Sequence, residues 1–404
     1  MKKITGKKIN KLVPIIYKNA ITKLLLNYQG KLYEQKGNCP KCGYKESYKN
    51  QIYERTFCKL ILDNRKFYDV KIRIRKYTCK KCGKVHSSID APIIKGFLYA
   101  KPIIDLVLYF AEDSFNAIEK NMMDLGIQVD RDTIRLWFQK FGNRIETKRI
   151  TNSKIQKSDE DKYLDILNLL FDEKLVKKML KEMEVVADET YPAIKGAKKE
   201  LREKNKELKN NGYDEIKYPT GFTVATSYSA NIKSYLSLLI SKNPFNKTMA
   251  TDLLSQVKNA FYILTDGHLA YKKIPDRHVR CVVHMFRNTF KKYNKKKKYP
   301  KDYFKNKFIE FRDKYLKELE KQYEKLFKQG IFLGNAITTN SIEGGNWRLK
   351  YHLKTPYKDI RSIFGRSVAI MIKESLSVFS HGSPTESFGH KNSKLNSLTE
   401  VLIT

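Results

Sequence analysis

Residues 184–191 read EVVADETY and residues 260–267 read AFYILTDG. Each stretch is a short apolar run of the kind that forms a buried strand, and each run ends in an acidic residue, Asp188 or Asp266. Further strand patterns and one helical pattern lie nearby, at 220–228, 234–241 and 279–284 for the strands and at 246–259 for the helix. These patterns predict a mixed α/β domain in which two aspartates end two different strands.

The order of these elements is that of an RNase H-like α/β fold. Three strands are followed by a helix, a fourth strand, a fifth strand and a late helix that opens at 339–343 and carries Glu343. The first and fourth strands of that fold lie side by side, so Asp188 and Asp266 are expected to meet at the strand ends, below Glu343. Three converging carboxylates suit oxygen-preferring divalent ions, which predicts a site for Mg²⁺ or Mn²⁺.

Two alternatives bear on this carboxylate site. An aspartate at a strand end is often an ordinary turn residue, and Glu343 alone could be a solvated helix residue, so the prediction depends on the joint pattern. Glu189 is the rival to Asp188. Because neighbouring residues on a strand point to opposite faces, we interpret Glu189 as a flanking residue.

The charge of the chain favours a nucleic-acid partner. It has 80 Lys and Arg residues against 43 Asp and Glu residues, a net charge of +37. Such a charge attracts polyanions and predicts salt-sensitive binding to phosphates. The alternative explanation of the many lysines is an AT-biased coding sequence, but such a bias should raise the glutamate content together with the lysine content.

No targeting or membrane segment is evident in the sequence. No apolar run approaches the roughly 20 residues of a membrane span, and the early stretch 12–26 is interrupted by Lys18 and Lys23. We therefore expect no export and no membrane partner.

Two CxxC pairs, each followed by glycine, predict a structural zinc site. Cys39 and Cys42 form the first pair, and Cys79 and Cys82 form the second. Two such turns supply the four thiolates of a tetrahedral Zn²⁺ centre, whereas a redox pair or a chance occurrence is the alternative. We expect a β-hairpin between the pairs, with strands at 51–62 and 66–77. Cys58 falls within a strand and is interpreted as a small core residue rather than a fifth ligand.

Residues 100–142 are typical of a helix-turn-helix. Pro102 suits the first turn of one helix, Ser114 and Asp130 are candidate N-caps of the next two, and Gly126 is a candidate C-cap. The third helix is expected to turn aromatic residues inward and to offer DNA the outward residues Arg131, Arg135, Gln139 and Lys140. The alternative is an ordinary three-helix bundle with a basic surface.

The sequence thus predicts a multidomain α+β chain. Its expected parts are a basic N-terminal segment (1–36), a zinc ribbon (37–92), a helix-turn-helix (100–142), a connector (143–183), an RNase H-like core (184–379) with a helical insertion (286–330), and a mobile tail (380–404).

Four blocks resemble the DDE-type transposases of prokaryotic insertion sequences, and the mutator-like group most closely. They read DETY from Asp188, TDGHLAY from Thr265, RCVVHMFRN from Arg280 and TTNSIE from Thr338. The resemblance covers roughly residues 100–379. It implies a catalytic triad and a C-x-x-H element, which fall here on Asp188, Asp266 and Glu343, and on Cys281 and His284. The N-terminal zinc ribbon and the long basic insertion 195–217 depart from the group's pattern.

The resemblance also implies a function. Such a protein binds transposon ends and target DNA as a homo-oligomer in the prokaryotic cytoplasm, at the nucleoid, and cuts and rejoins strands with Mg²⁺. Cys281 and His284 are expected to support the site structurally or to position DNA, with zinc binding as the alternative. Three basic residues of the late helix are expected to hold DNA at the scissile phosphate, namely Arg348, Lys350 and Lys354. The other possible functions are a catalytically silent DNA-binding regulator and a structure-selective nuclease.

Overall fold

The computed structural model describes most of the chain as two compact units. The described residues are 17–62, 66–150, 161–181, 183–192, 197–212, 222–230, 232–255, 257–260, 262–266, 268–271, 278–287, 301–322, 342, 346, 349, 353 and 359–380. The boundary between the units falls after Gly142. In the described part of the chain, no helix has the length and apolar character needed to cross a membrane.

The N-terminal unit contains a small sheet and helices. Its elements are helix α1 (17–26), strands β1 (Leu32–Tyr33), β2 (Ser47–Ile61), β3 (Phe67–Cys79) and β4 (Val85–Ser87), and helices α2 (Lys101–Tyr109), α3 (Phe115–Asp124) and α4 (Arg131–Ile150). Helix α4 continues past the boundary, and its residues up to Gly142 belong to this unit. The strands β2 and β3 form an antiparallel hairpin. On β3, β1 pairs in parallel and β4 pairs antiparallel.

The predicted hairpin is confirmed, and its alternating pattern explains it. Val70, Ile72 and Ile74 of β3 are fully buried, whereas Lys71 and Arg73 between them are exposed. This period of two gives the hairpin one apolar face and one basic face.

The predicted helix caps are also confirmed. The Ser114 hydroxyl accepts a hydrogen bond from the Ala117 amide at 3.2 Å, and the Asp130 carboxylate accepts one from the Thr133 amide at 2.8 Å. Gly126 has a φ of +79°, the left-handed conformation that ends α3.

Hydrogen bonds join this turn between α3 and α4 to the hairpin. The Ile61 amide donates to the Gly126 carbonyl at 2.8 Å, and the Gln128 amide donates to the Lys59 carbonyl at 2.8 Å. The hairpin and the three helices, which the sequence suggested as separate modules, therefore fold together within the N-terminal unit.

The C-terminal unit is built on a mixed sheet. Its strands are β5 (Asp161–Asp165), β6 (Glu184–Thr190), β7 (Thr223–Ser229), β8 (Ser234–Ser241), β9 (Tyr262–Thr265) and β10 (His278–Arg280). Among the described residues the strand order is β10-β9-β6-β7-β8-β5. The pairs β6–β9 and β9–β10 are parallel, whereas β6–β7, β7–β8 and β8–β5 are antiparallel.

Helices lie between and after these strands. They are α5 (Ile166–Leu170), α6 (Glu173–Leu180), α7 (Ala197–Asn210), α8 (Lys247–Ser255), α9 (282–287), α10 (Lys301–Gln322) and α11 (Ile360–Ser380). Every residue of β8 is buried, which means that both faces of this strand are covered. The hydroxyl of Ser234 in β8 donates to that of Ser375 in α11 at 3.0 Å.

The strands expected around Asp188 and Asp266 are present, and α10 lies within the predicted helical insertion. The Tyr315 hydroxyl of α10 donates to the Arg280 carbonyl at 2.9 Å and so attaches α10 to the end of β10. Strand β5 was not anticipated, because its residues were assigned to a connector.

Candidate metal centres

The two CxxC turns of the N-terminal unit have the same backbone structure. Gly43 and Gly83 have φ values of +70° and +68°, and the amide of each donates to the carbonyl of the first cysteine of its own pair. The distances are 2.8 Å to Cys39 and 3.0 Å to Cys79. A glycine adopts this left-handed conformation without the steric cost of a Cβ, which lets the chain fold back on each pair.

The four sulfur atoms converge. The Sγ atoms of Cys39 and Cys82 lie 3.6 Å apart, as do those of Cys42 and Cys79, and all four lie within 4.8 Å of one another. A tetrahedral site with metal–sulfur bonds of about 2.3 Å has edges of about 3.8 Å. The cluster can therefore hold a structural metal ion.

The ionisation of these thiols also suits a cation. Burial opposes ionisation of Cys39, but the backbone amides of Lys41 and Cys42, together with neighbouring thiols, lower the pKa of Cys39 to about 6. The Tyr44 amide favours the Cys42 thiolate, yet desolvation and the hydrogen bonds that the Cys42 thiol donates to neighbouring sulfur atoms outweigh it and raise the pKa of Cys42 to about 12. The thiolates compete with one another, so a cation between them is needed for all four to ionise.

Cys58 behaves as the sequence suggested. Its side chain is fully buried, and burial, followed by the charge of Asp69, raises the pKa of its thiol to about 12. Cys58 does not belong to the cluster of four cysteines. It is a core residue of β2.

A second cluster lies at the ends of strands β6 and β9. These strands run in parallel, with Ala187 opposite Thr265, so the next residues, Asp188 and Asp266, emerge side by side. Oxygen atoms of Asp188, Glu189 and Asp266 lie within 4.8 Å of one another. The meeting of the two aspartates was predicted from the order of the strands, and it is confirmed.

The interpretation of Glu189 as a mere flanking residue is wrong, because its carboxylate joins the cluster. The alternation of a strand fixes the direction of Cβ, but it does not fix the position of a carboxylate that lies one methylene group beyond Cβ. Burial, then Asp266 and Asp188, raise the pKa of Glu189 to about 8. The Tyr271 hydroxyl donates to Glu189 Oε2 at 3.3 Å.

A short 3₁₀ turn, Leu269–Tyr271, follows β9 and contacts this cluster through the Tyr271 hydroxyl. The Asp266 carboxylate accepts a hydrogen bond from the His268 amide at 2.8 Å, which begins the turn. Tyr271 is fully buried, and burial, followed by the nearby carboxylates, raises its pKa. Tyr271 therefore remains a neutral donor to Glu189, and the cluster as a whole can hold a divalent cation.

Asn346 also reaches the cluster, and sequence reasoning missed it. Its Nδ2 donates to Asp188 Oδ2 at 3.0 Å, and its Oδ1 accepts from the Thr226 hydroxyl at 2.7 Å. Ile342, Asn346 and Leu349 are helical and buried, at positions i, i+4 and i+7. The sequence did contain a signal for Asn346, because it follows Glu343 by three positions and residues three apart share one face of a helix.

Several predicted site residues fall outside the described part of the chain. They are Glu343, Arg348, Lys350 and Lys354. Their roles stay predictions from the sequence.

Cys281 and His284 lie just after β10. Strand β10 ends at Arg280, and Cys281 is buried, with its amide donating to the Thr265 carbonyl at 2.7 Å. The Met285 amide donates to the Cys281 carbonyl at 3.0 Å at the start of α9. Among the described residues, neither Cys281 nor His284 belongs to a group of three or more possible metal ligands.

The residues predicted to read DNA occupy different environments on α4. Arg131 and Arg135 are exposed, and Arg135 lies 3.4 Å from the Asp132 carboxylate. Gln139 is half-buried. The Lys140 ammonium donates to the Gly96 carbonyl and is therefore engaged within its own unit.

No protein-family model matches the chain, and no curated protein matches it.

Proposed function

We propose that this protein is a DDE-type DNA transposase, which binds transposon ends and catalyses metal-dependent strand cleavage and strand transfer. The observation that carries the proposal is the convergence of Asp188 and Asp266 from adjacent parallel strands, with carboxylate oxygens within 4.8 Å of one another and of Glu189. Carboxylates this close repel one another, and a divalent cation neutralises them. Phosphodiester chemistry uses cations held in this way.

The strand order supports an RNase H-like core. In the spatial strand order β8-β7-β6-β9-β10, the central strand is β6, which carries Asp188. Its parallel neighbour is β9, which ends just before Asp266, and on its other side β7 and then β8 pair antiparallel. The sequence analysis expected one part of this arrangement, the pairing of the first strand with the fourth. Strand β5 extends the sheet beyond β8.

The donor sets favour different metals. Carboxylate oxygens suit Mg²⁺ or Mn²⁺, whereas four thiolates suit Zn²⁺. For the carboxylate site we propose Glu343 as a further ligand, because it precedes Asn346 by three positions and Asn346 contacts Asp188. A Mg²⁺ ion held by Asp188 and Asp266 would supply Lewis-acid activation of a water or a 3′-hydroxyl and charge stabilisation of the leaving oxygen. The carboxylates themselves hold and orient the cations.

Charge supports a DNA substrate. The net charge of +37 favours binding to phosphates, and Arg131 and Arg135 on the exposed face of α4 are the candidates for contacts in a groove. Because Lys140 is bound to the Gly96 carbonyl, we propose no direct DNA contact for it. Arg348, Lys350 and Lys354 remain candidates for holding the scissile phosphate. Two transposon ends must be held together, so we expect a homo-oligomer.

The test is cleavage and strand transfer on labelled DNA that carries the element's own ends, with Mg²⁺ or Mn²⁺. Wild type is compared with Asp188→Ala, Asp266→Ala and Glu343→Ala, and with Glu203→Ala on the exposed surface of α7 as a control. We expect metal-dependent joining by wild type and the control, and its loss in the three variants while DNA binding persists.

Other outcomes separate the alternatives. DNA binding without any chemistry in wild type would favour a catalytically silent regulator. Cleavage without joining would favour a structure-selective nuclease. Joining that survives the loss of Asp188 or Asp266 would place the chemistry elsewhere in the chain.

A further inference from the structure

We infer that Asn346 is a positioning residue, which holds the Asp188 carboxylate in one orientation for a metal ion bound with Asp266. The inference rests on the proposed function, because it concerns the same metal site. Asn346 contacts Asp188 on one side and Thr226 on the other. It thus connects the late helical residues to the two central strands of the sheet.

The chemistry of the three groups gives this chain of hydrogen bonds one direction. An ionised carboxylate only accepts hydrogen bonds, so the Asn346 amide must turn its Nδ2 toward Asp188. The Oδ1 atom then faces Thr226, whose hydroxyl is the donor at 2.7 Å. The carboxylate therefore decides which end of the amide faces it, and the Thr226 hydroxyl, by donating to Oδ1, holds the other end of the amide in place.

The register of the sheet explains why Thr226 is available. Thr226 of β7 lies directly opposite Asp188 of β6. Residues directly opposite one another in an antiparallel pair project on the same face, so one amide can reach both side chains. The neighbouring residue Ser227 has the opposite orientation and shares a hydrogen bond with Ser237 instead.

Burial makes the arrangement rigid. Thr226 is fully buried and Asn346 is 3% exposed, so water competes little for these hydrogen bonds. Hydrogen bonds are electrostatically stronger in such a low-dielectric environment, and a buried polar group left without its partner is costly. The Asn346 amide is consequently held by both partners at once.

Fixing the rotation of Asp188 matters for a metal site. A carboxylate that rotates freely must lose that freedom when it binds an ion, whereas one held by a neighbouring donor has already lost it. Partners that orient metal ligands in this way typically change metal affinity or activity by about 10- to 100-fold when they are removed. A purely structural role, attaching the late helical segment to the sheet, would lower stability without a selective effect on metal binding.

The experiment is a Mn²⁺ titration of the full-length, zinc-loaded protein, followed by electron paramagnetic resonance of the free ion. Wild type is compared with Asn346→Ala, Thr226→Val and Thr226→Ser. We expect Mn²⁺ binding to weaken about 10- to 100-fold in Asn346→Ala and less in Thr226→Val. Thr226→Ser keeps the hydroxyl donor and is expected to bind close to wild type.

Ser227→Ala is the matched control, since it removes a buried hydroxyl from the same strand but from the other face. It should lower the melting temperature and leave Mn²⁺ affinity unchanged. If Asn346→Ala does not fold, the comparison of Thr226→Val with Thr226→Ser carries the test. Equal Mn²⁺ affinity in those two variants, or unchanged affinity in a folded Asn346→Ala, would overturn the inference.

Asp188→Ala separates this inference from the proposed function. If wild type and Asp188→Ala bind Mn²⁺ equally, the proposed metal site itself is wrong. If Asp188→Ala loses binding while the Asn346 and Thr226 variants keep it, the metal site stands and only the positioning role of Asn346 fails.

Discussion

The cysteine cluster and the carboxylate cluster can each hold a metal ion, but they are assembled in opposite ways. Each half of the cysteine cluster is a single CxxC turn, in which the amide of the following glycine donates to the carbonyl of the first cysteine. The carboxylate cluster is assembled from two strands that are distant in sequence, and Asn346 joins it from later in the chain. The first site is formed by local backbone structure and the second by the topology of the sheet.

Their electrostatics differ as well. Backbone amides help to lower the pKa of Cys39 to about 6 and so prepare a thiolate. Burial and neighbouring aspartates raise the pKa of Glu189 to about 8 and so disfavour its carboxylate form. Without a cation, the carboxylate cluster therefore costs stability that a proton or a metal ion recovers. At the cysteine cluster, we expect a bound metal ion to stabilise the N-terminal unit.

The largest expected effect is the loss of a cysteine ligand. Cys79→Ser removes one thiolate at the end of β3, and we expect the bound zinc to be lost and the N-terminal unit to lose several kcal/mol of stability, because zinc binding is coupled to folding. Metal analysis of the purified protein, together with hydrogen exchange across β2 and β3, measures both effects.

Cys58→Ala is the control for this prediction. It also removes a buried sulfur from the hairpin, but Cys58 lies outside the cluster, so zinc should stay bound and the destabilisation should be about 1 kcal/mol. If Cys79→Ser keeps its zinc, or if both variants lose it, the cysteine cluster is not the structural site described here.

The sequence predicted the cysteine cluster well because its determinants are local. Two CxxC turns, two glycines and an alternating hairpin lie within a short stretch, and so do the caps of α3 and α4. The two aspartates were also found, because each directly follows an apolar run of strand residues. Strand β5 was missed, since it pairs with β8 at an edge of the sheet and its partner cannot be read from its own residues.

Glu189 and Asn346 show where such reasoning fails. Alternation along β6 argues for a Glu189 that points away from Asp188, but the length of its side chain lets the carboxylate return to the cluster. Asn346 joins the site through hydrogen bonds to two strands, and these depend on the packing of a late helical segment rather than on local pattern. Side-chain length and long-range packing are the physical factors that periodicity leaves out.

The next largest effect concerns the pH dependence of the carboxylate cluster in Mg²⁺-free buffer. Glu189 is protonated in the folded protein up to a pKa of about 8, but an unfolded chain ionises it near the ordinary value of 4.5. Below about pH 4.5 Glu189 is protonated in both the folded and the unfolded chain, so its ionisation does not affect stability. As the pH rises from there to about 8, only the unfolded chain loses the proton, and the free energy of unfolding therefore falls. Glu189→Gln removes this loss and should stabilise the protein at pH 8 by on the order of a few kcal/mol.

Urea unfolding at a series of pH values measures the difference between wild type and Glu189→Gln. Mg²⁺ should shrink the difference, because a bound cation favours the ionised carboxylate. Glu203→Gln on the exposed face of α7 is the matched control and should change stability little at any pH. Stability curves for wild type and Glu189→Gln that run parallel from pH 4.5 to 8 would contradict the opposing roles assigned to the two clusters.

The smallest effect tests whether backbone conformation alone tunes the cysteine cluster. Gly83 has a φ of +68°, and a Cβ added there would meet no atom within 4 Å, so Gly83→Ala introduces conformational strain without a clash. A left-handed conformation costs a residue with a side chain roughly 1–2 kcal/mol. Zinc affinity, measured by competition with a chromophoric chelator, should therefore fall about tenfold. Gly83→Asn should restore part of it, because asparagine tolerates this conformation better than alanine. Equal zinc affinity in wild type and both variants would mean that the sulfur atoms converge without help from the glycine turns. The cysteine cluster would then differ from the carboxylate cluster only in the close spacing of its cysteines along the chain, and not in its backbone conformation.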